Sequence, residues 1–261
     1  MIASITSKTG PLIRNGLRHE QVRGTLVSTI KPGPCESCSH RGLCTSRVEL
    51  FANLPEVLQY ELAQGAKHFN LNKGDVLIAA QTPCRSILIV RYGKLKLHTY
   101  DADGKEFILD IYVDGDSIGD ELFLTRSLYP YEVVALTDVG ICEITTDQFQ
   151  ALITREPQTT LNLISTLATK LDRANKKNAM LSENDALVRL ARFLIDRHKR
   201  THGNIELTID DIAASVNLRR ETVSRKIGEL QDRGFLRRVG QSSLELLIAE
   251  DALEGFLETL I

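Results

Sequence analysis

The chain has 261 residues, of which 43% are hydrophobic and 25% charged, with a formal net charge of -2. A chain of this length accommodates one large core or two ordinary domains, and its balance excludes a disordered, collagenous or repeat-array protein. No window approaches the roughly 18 uninterrupted apolar residues of a membrane span, and no apolar run precedes a cleavage site near the N-terminus, so a cytoplasmic protein without a membrane partner is expected.

Residues 1–46 read as an N-terminal arm and a cysteine loop. The arm shows little periodicity and ends in Lys31-Pro32-Gly33-Pro34, after which comes Cys35-Glu-Ser-Cys38-Ser-His-Arg-Gly-Leu-Cys44, a C-x2-C-x5-C run. Five cysteines, an odd number with three close together, do not make a disulfide framework in a chain this large. Three thiolates at this spacing enclose a metal or cluster once a fourth ligand arrives from elsewhere. An iron-sulfur centre, a zinc site with His40 as a further ligand, and a thiol switch all remain open on spacing alone.

Residues 47–156 read as a β-roll. A short amphipathic helix is predicted over 47–64, followed by strand-like runs at Val76-Leu77-Ile78, Ile87-Leu88-Ile89-Val90, Leu95-Lys96-Leu97, Phe107-Ile108-Leu109 and Val133-Val134-Ala135. Glycine turns at Gly74, Gly93, Gly104 and Gly115 separate them, and many short strands at near-regular spacing argue for a jelly-roll sensor domain. Residues 157–183 read as one long helix in which Ile164, Leu167, Leu171, Ala174, Asn178 and Leu181 recur at alternating spacings of three and four. Such a seam fits a helix lying on its own core. The helix's length and the polar Asn178 favour a homodimer helix, because a seam Asn fixes register at some expense in stability.

Residues 184–261 read as a winged helix-turn-helix. Thr208 and Asp211 form a capping-box pattern opening a helix over 209–215, Val216-Asn217-Leu218 makes the turn, and a second helix over 219–233 ends at Gly234. Two strand-like runs at 235–240 and 244–247 make the wing. Arg219, Arg220, Arg225, Lys226, Arg233, Arg237 and Arg238 give this end a dense basic patch suited to the phosphates of double-stranded DNA. In a helix-turn-helix the N-terminal part of the second helix enters the major groove, which places Arg220, Glu221, Ser224 and Arg225 against base edges. Arg pairs with guanine O6 and N7, and Glu accepts from cytosine N4; a Glu in a basic segment serves reading rather than phosphate attraction.

The roll, long helix and winged helix-turn-helix, with Glu221-Thr-Val-Ser224-Arg225 in the second helix, resemble the Crp/Fnr family over residues 47 to 261. The cysteine run ahead of the roll, with a lone cysteine in Ala135-Leu-Thr-Asp-Val-Gly-Ile-Cys142-Glu-Ile, is similar to the oxygen-responsive Fnr branch. The resemblance implies an α+β chain with a cyclic-nucleotide-binding-like roll. It also implies one [4Fe-4S] cluster per subunit on Cys35, Cys38, Cys44 and Cys142, a dimer on a palindromic site in the absence of oxygen, and RNA polymerase as a partner. Cys142 as fourth ligand comes from the resemblance alone, and Leu43 beside Cys44 could shield a cluster or simply pack.

Two departures matter. Where cyclic-AMP-binding relatives place an Arg-Ser phosphate clamp, this chain reads Tyr129-Pro130, with Arg126-Ser127 nearby, which argues against a cyclic nucleotide. Arg220 resembles the cyclic-AMP-responsive branch whereas Ser224 resembles the Fnr branch, so the half-site lies between TTGAT-like and TGTGA-like sequences. Cys84 matches nothing in the motif and reads as a structural thiol. No G-x-S-x-G, H-E-x-x-H or phosphate-cradling glycine loop is present, so no enzyme is expected. If Asn178 lies in a dimer seam, Asn178→Leu tightens the dimer, and sedimentation equilibrium showing an unchanged association constant removes Asn178 from that role.

Overall fold

The computed structural model describes residues 48–51, 53–123, 128–201, 203, 205–240, 243–247 and 255. The arm, Cys35, Cys38, His40, Leu43, Cys44, Arg126 and Ser127 lie outside the described residues. Eight strands form the roll: β1 (Lys67–Leu71), β2 (Val76–Ile78), β3 (Ser86–Tyr92), β4 (Leu95–Tyr100), β5 (Glu106–Tyr112), β6 (Ser117–Ile118), β7 (Glu132–Ala135) and β8 (Val139–Thr145). They make two four-stranded antiparallel sheets, ordered β1-β8-β3-β6 and β2-β7-β4-β5. Strand periodicity sorts their side chains. Leu88, Val90, Val139 and Ile141 join Leu77, Leu95, Leu97 and Val133 in the core between the sheets, whereas Ile87, Ile89, Cys142 and Ile144 line the outer face of the first sheet. After β6 the chain turns at Gly119, whose φ of 117° and closeness to the Ser86 carbonyl oxygen leave no room for a Cβ.

The helix predicted over 47–64 is broken in two. A single 3-10 turn spans Glu49–Phe51 and α1 begins only at Glu56, running Glu56–Gly65. Asn53 lies in the left-handed region at φ 62°, and Pro55, which has no amide hydrogen to donate, takes the N-cap position of α1. The break lets Val48, Leu50 and Phe51 pack onto the outer sheet face instead of following α1. Next come α2 (Thr146–Arg155), closed at its start by a Thr145–Gln148 capping box, and α3 (Gln158–Leu181).

Two faces of α3 have different fates. On one, Leu163 enters the cluster of Val48, Leu50, Phe51 and Cys142, while Asn162 Nδ2 donates to the Leu50 carbonyl at 3.4 Å and Ser165 Oγ donates to the Glu49 carboxylate at 2.9 Å. Further along, Lys170 Nζ donates to the Ser117 carbonyl at 2.7 Å, Arg173 pairs with Asp116 at 2.8 Å, and Lys177 Nζ caps the carbonyls of Ile108 and Leu109. On the other face Leu161, Ile164, Leu167 and Leu171 are 59%, 57%, 38% and 61% exposed, and Ala174 and Asn178 are exposed with them. Leu181 departs from this seam: it is partly buried against the core of the C-terminal domain, because the helix end turns towards α4 there.

That domain comprises α4 (Ala186–Thr201), β9 (Ile205–Glu206), α5 (Ile209–Val216), α6 (Arg220–Asp232), β10 (Leu236–Arg238) and β11 (Ser243–Leu246). The wing is a three-stranded sheet ordered β10-β11-β9, one strand more than its sequence shows, since a two-residue strand carries no period. Leu190, Leu194, Ile205, Ile212, Val223, Ile227 and Leu230 form its core, and Ile108 and Ile111 of β5 belong to the same cluster, so the domain is docked on the roll. Ion pairs frame the joint. Arg200 bridges Asp110 at 2.8 Å and Asp116 at 3.1 Å, and buried Arg197 donates to the Ile111 carbonyl at 3.1 Å.

Burial alone would raise the Asp110 carboxyl, but the guanidinium charges of Arg200 and Arg197, with the Ile111 amide at 2.7 Å, outweigh it and hold the group below its ordinary value. A carboxylate depressed by folding adds stability above its unfolded pKa and loses it as pH falls through the folded value, so the joint weakens below roughly pH 4. Asp110→Asn is expected to cost about 1 to 3 kcal/mol at neutral pH, by leaving two guanidiniums short of a charge, and to flatten the acid limb of the stability curve. Thermal unfolding across pH 3 to 7 reads both effects, and parallel curves for the two proteins would remove Asp110 from this role.

Candidate functional site

The helix-turn-helix is built locally. Thr208 caps α5, its hydroxyl accepting from the Asp211 amide at 3.1 Å while the Asp211 carboxylate accepts from the Thr208 amide at 3.3 Å. Asn217 ends α5 in the left-handed conformation at φ 51°, a geometry that Asn tolerates and that reverses the chain into α6. Val223, Ile227 and Leu230 bury one face of α6, which leaves Arg220, Glu221, Ser224 and Arg225 exposed together on the other. Arg220 is ion-paired with Asp210 in the first turn of α5. Both partners are more than half exposed, so the pair orients the guanidinium without holding it back from a base. Beside this face the wing carries exposed Arg237 and Arg238, the first paired with Glu245 at 2.5 Å.

The second site is centred on Cys142. This thiol is 4% exposed and occupies an outward position of β8, between His68 of β1 and Ile89 of β3 in the strand register. Val48, Leu50 and Phe51 lie in the same apolar cluster, and so does Leu163 of α3. Three residues lie between Cys44 and Val48, so at most about 14 Å of extended chain joins the last cysteine of the run to the first residue of this cluster. A buried thiol with a neighbouring run of thiols is a donor set that suits a thiolate-bound centre, and Cys142 is the member of that set whose surroundings are described.

Cys84 lies elsewhere. It is buried in the core between the sheets, where its Sγ donates to the Gly119 carbonyl at 3.5 Å, and burial followed by the nearby Glu121 charge pushes its thiol up despite hydrogen bonds that pull the other way. Tyr129 is buried beside it, and the Tyr131 hydroxyl donates to Glu121 Oε1 at 2.5 Å. Tyr129, in the stretch aligned with the phosphate clamp of cyclic-AMP-binding relatives, is thus packed beside a buried thiol.

Sequence reasoning placed Arg220, Glu221, Ser224 and Arg225 together on one face of the second helix, and they are exposed together on α6. It missed the Val48–Phe51 packing, the pairing of β1 with β8, and the Arg197 and Arg200 joint, although those two arginines three apart on α4 were a readable signal. Among the described residues no helix is long and apolar enough to cross a membrane.

Comparison with known proteins identifies both domains. Residues 68–156 match the cyclic nucleotide-binding domain and residues 188–254 the Crp-like helix-turn-helix domain. The probable transcriptional regulator flp of Lacticaseibacillus casei is 30% identical over 217 residues, covering 82% of this chain and 97% of that protein. The anaerobic regulatory protein of Pasteurella multocida is 26% identical over 234 residues, covering 86% and 84%. The solved structure of FixK2 from Bradyrhizobium japonicum shares the fold with a TM-score of 0.66 at 22% identity, covering 73% of this chain and 96% of that one. This chain belongs to the Crp/Fnr family, as a DNA-binding transcription regulator and not an enzyme.

Proposed function

We propose that the chain is an oxygen-responsive regulator in which Cys35, Cys38, Cys44 and Cys142 hold one [4Fe-4S] cluster per subunit, and that a homodimer binds a palindromic promoter site when oxygen is absent. The observation that carries this reading is the shared burial of Cys142, Val48, Leu50, Phe51 and Leu163. It links the residues that directly follow the cysteine run to a thiol on the roll and to the helix whose opposite face is apolar and exposed. When bound, the cluster supplies an oxygen-labile redox centre. The chain's own part is mechanical: gathering the four thiolates tethers Leu50 and Phe51 between β8 and α3, and this fixes how α3 presents Ile164, Leu167 and Leu171 to a second copy. Relatives named as anaerobic regulators support the same reading.

Reconstitution with iron and sulfide under argon tests the cluster. The expected product is brown, binds a palindromic duplex as a dimer, and bleaches and releases the duplex in air. Serine at Cys35, Cys38, Cys44 or Cys142 is expected to abolish cluster uptake, whereas Cys84→Ser, in the other core, is not. A colourless protein that binds zinc and ignores air overturns the oxygen reading while leaving the DNA-binding regulator in place. For the recognition helix, Arg225→Ala is expected to cost about 1 to 3 kcal/mol on a specific site and much less on random DNA. An equal loss on both would make Arg225 a phosphate contact.

A further inference from the structure

His68 stands on β1 directly across from Cys142 on β8, and the pleat points both side chains to the outer face of the sheet, since Phe69 and Leu71 on the alternate positions enter the core between the sheets. Cross-strand partners on one face have Cβ atoms about 4.5 to 5.5 Å apart, within hydrogen-bonding range of an imidazole and a sulfur. The Nε2 atom of His68 is buried and finds no hydrogen-bond partner among the described residues. Leaving a polar ring nitrogen unpaired away from water costs about 1 to 3 kcal/mol, so such an atom asks for a function. The side chain it faces across the strand pair is the Cys142 thiol, in the apolar cluster with Val48, Leu50 and Phe51.

We infer that His68 is a positioning residue for the proposed cluster, its Nε2–H donating a hydrogen bond to the sulfur of Cys142 once that sulfur is a ligating thiolate. The inference rests on the cluster reading above. A buried thiol offers a weak acceptor, whereas a thiolate is a strong one, so His68 Nε2 gains its partner only in the ligated state. A hydrogen bond to a ligand sulfur withdraws electron density from the iron, raises the reduction potential and makes the centre harder to oxidise. Asn70, also on the outer face, is already engaged by Arg91 Nη2 at 2.9 Å, which leaves His68 as the β1 side chain available to Cys142.

The test compares wild type, His68→Leu and His68→Gln after anaerobic reconstitution, with iron and sulfide content, visible absorption, midpoint potential and rate of bleaching in air as readouts. Leu keeps bulk and removes the donor; Gln restores a donor on a shorter reach. The expected result is equal cluster content, a more negative potential for His68→Leu with bleaching faster by about tenfold, and partial return towards wild type for His68→Gln. Equal potentials and equal bleaching in all three proteins overturn the inference and leave the cluster reading intact. A wild-type protein that takes up neither iron nor sulfide overturns both. If His68→Leu unfolds, circular dichroism shows it, and His68→Gln against wild type then carries the comparison, with identical potentials again overturning the inference.

Discussion

Leu50 and Phe51 are the pieces on which the architecture turns. They are fully buried between the outer face of the β1-β8-β3-β6 sheet and the first half of α3, and each side chain of this size contributes about 1.5 to 3 kcal/mol by leaving water. Neither the sheet nor α3 could bury its apolar stripe as completely without them. The stretch that supplies them also leads back to the cysteine run, so the element that glues the long helix to the roll is the one most directly exposed to whatever happens to those cysteines. The cysteine run and the structural wedge are continuous along the chain.

Further along α3 the means of attachment changes from apolar to polar. Lys170, Arg173 and Lys177 are drawn to carbonyls and a carboxylate of the roll, and Arg200 from α4 meets the same Asp116 that Arg173 holds. Asp116 thereby ties the roll, the long helix and the DNA domain at one carboxylate. Charge-assisted bonds of this type are strong only while all partners stay in place, and losing one leaves the others underpaired in a region sheltered from water. The hairpin between β4 and β5 reaches the helix-turn-helix itself through Lys105 Nζ donating to Asn217 Oδ1 at 2.6 Å, and Lys94, in the turn before β4, pairs with Glu206 of β9 at 2.8 Å.

Much of this was legible in the sequence, and the remainder was hidden for identifiable reasons. The strands at 76–78, 87–90, 95–97, 107–109 and 133–135 announced themselves by short apolar-rich runs between glycine turns, and the α5 start by Thr208 and Asp211. Strand β6 is two residues long, and β1 offers only the brief His68-Phe69-Asn70-Leu71 alternation directly after α1, too short to stand out. The split of the first helix needed Asn53 and Pro55 to be weighed above the amphipathic period around them. Leu181 fits the seam by spacing and leaves it by position, because a heptad count does not register where the next helix folds back. The packing of Val48, Leu50 and Phe51 against Leu163 joins residues more than a hundred positions apart, and no local pattern encodes it.

Cys142 lies on a strand flanked on both sides, by β1 and by β3, and its neighbours Ile141 and Glu143 point the other way or to the rim. A strand so enclosed cannot slide without breaking two ladders at once. Inserting or deleting one residue in the turn at Thr137-Asp138 would shift Ile141 to the outer face and drive the thiol into the packed interior between the sheets. The roll would then present an isoleucine to the Leu50 and Phe51 wedge, a contact that keeps the apolar packing while removing the sulfur.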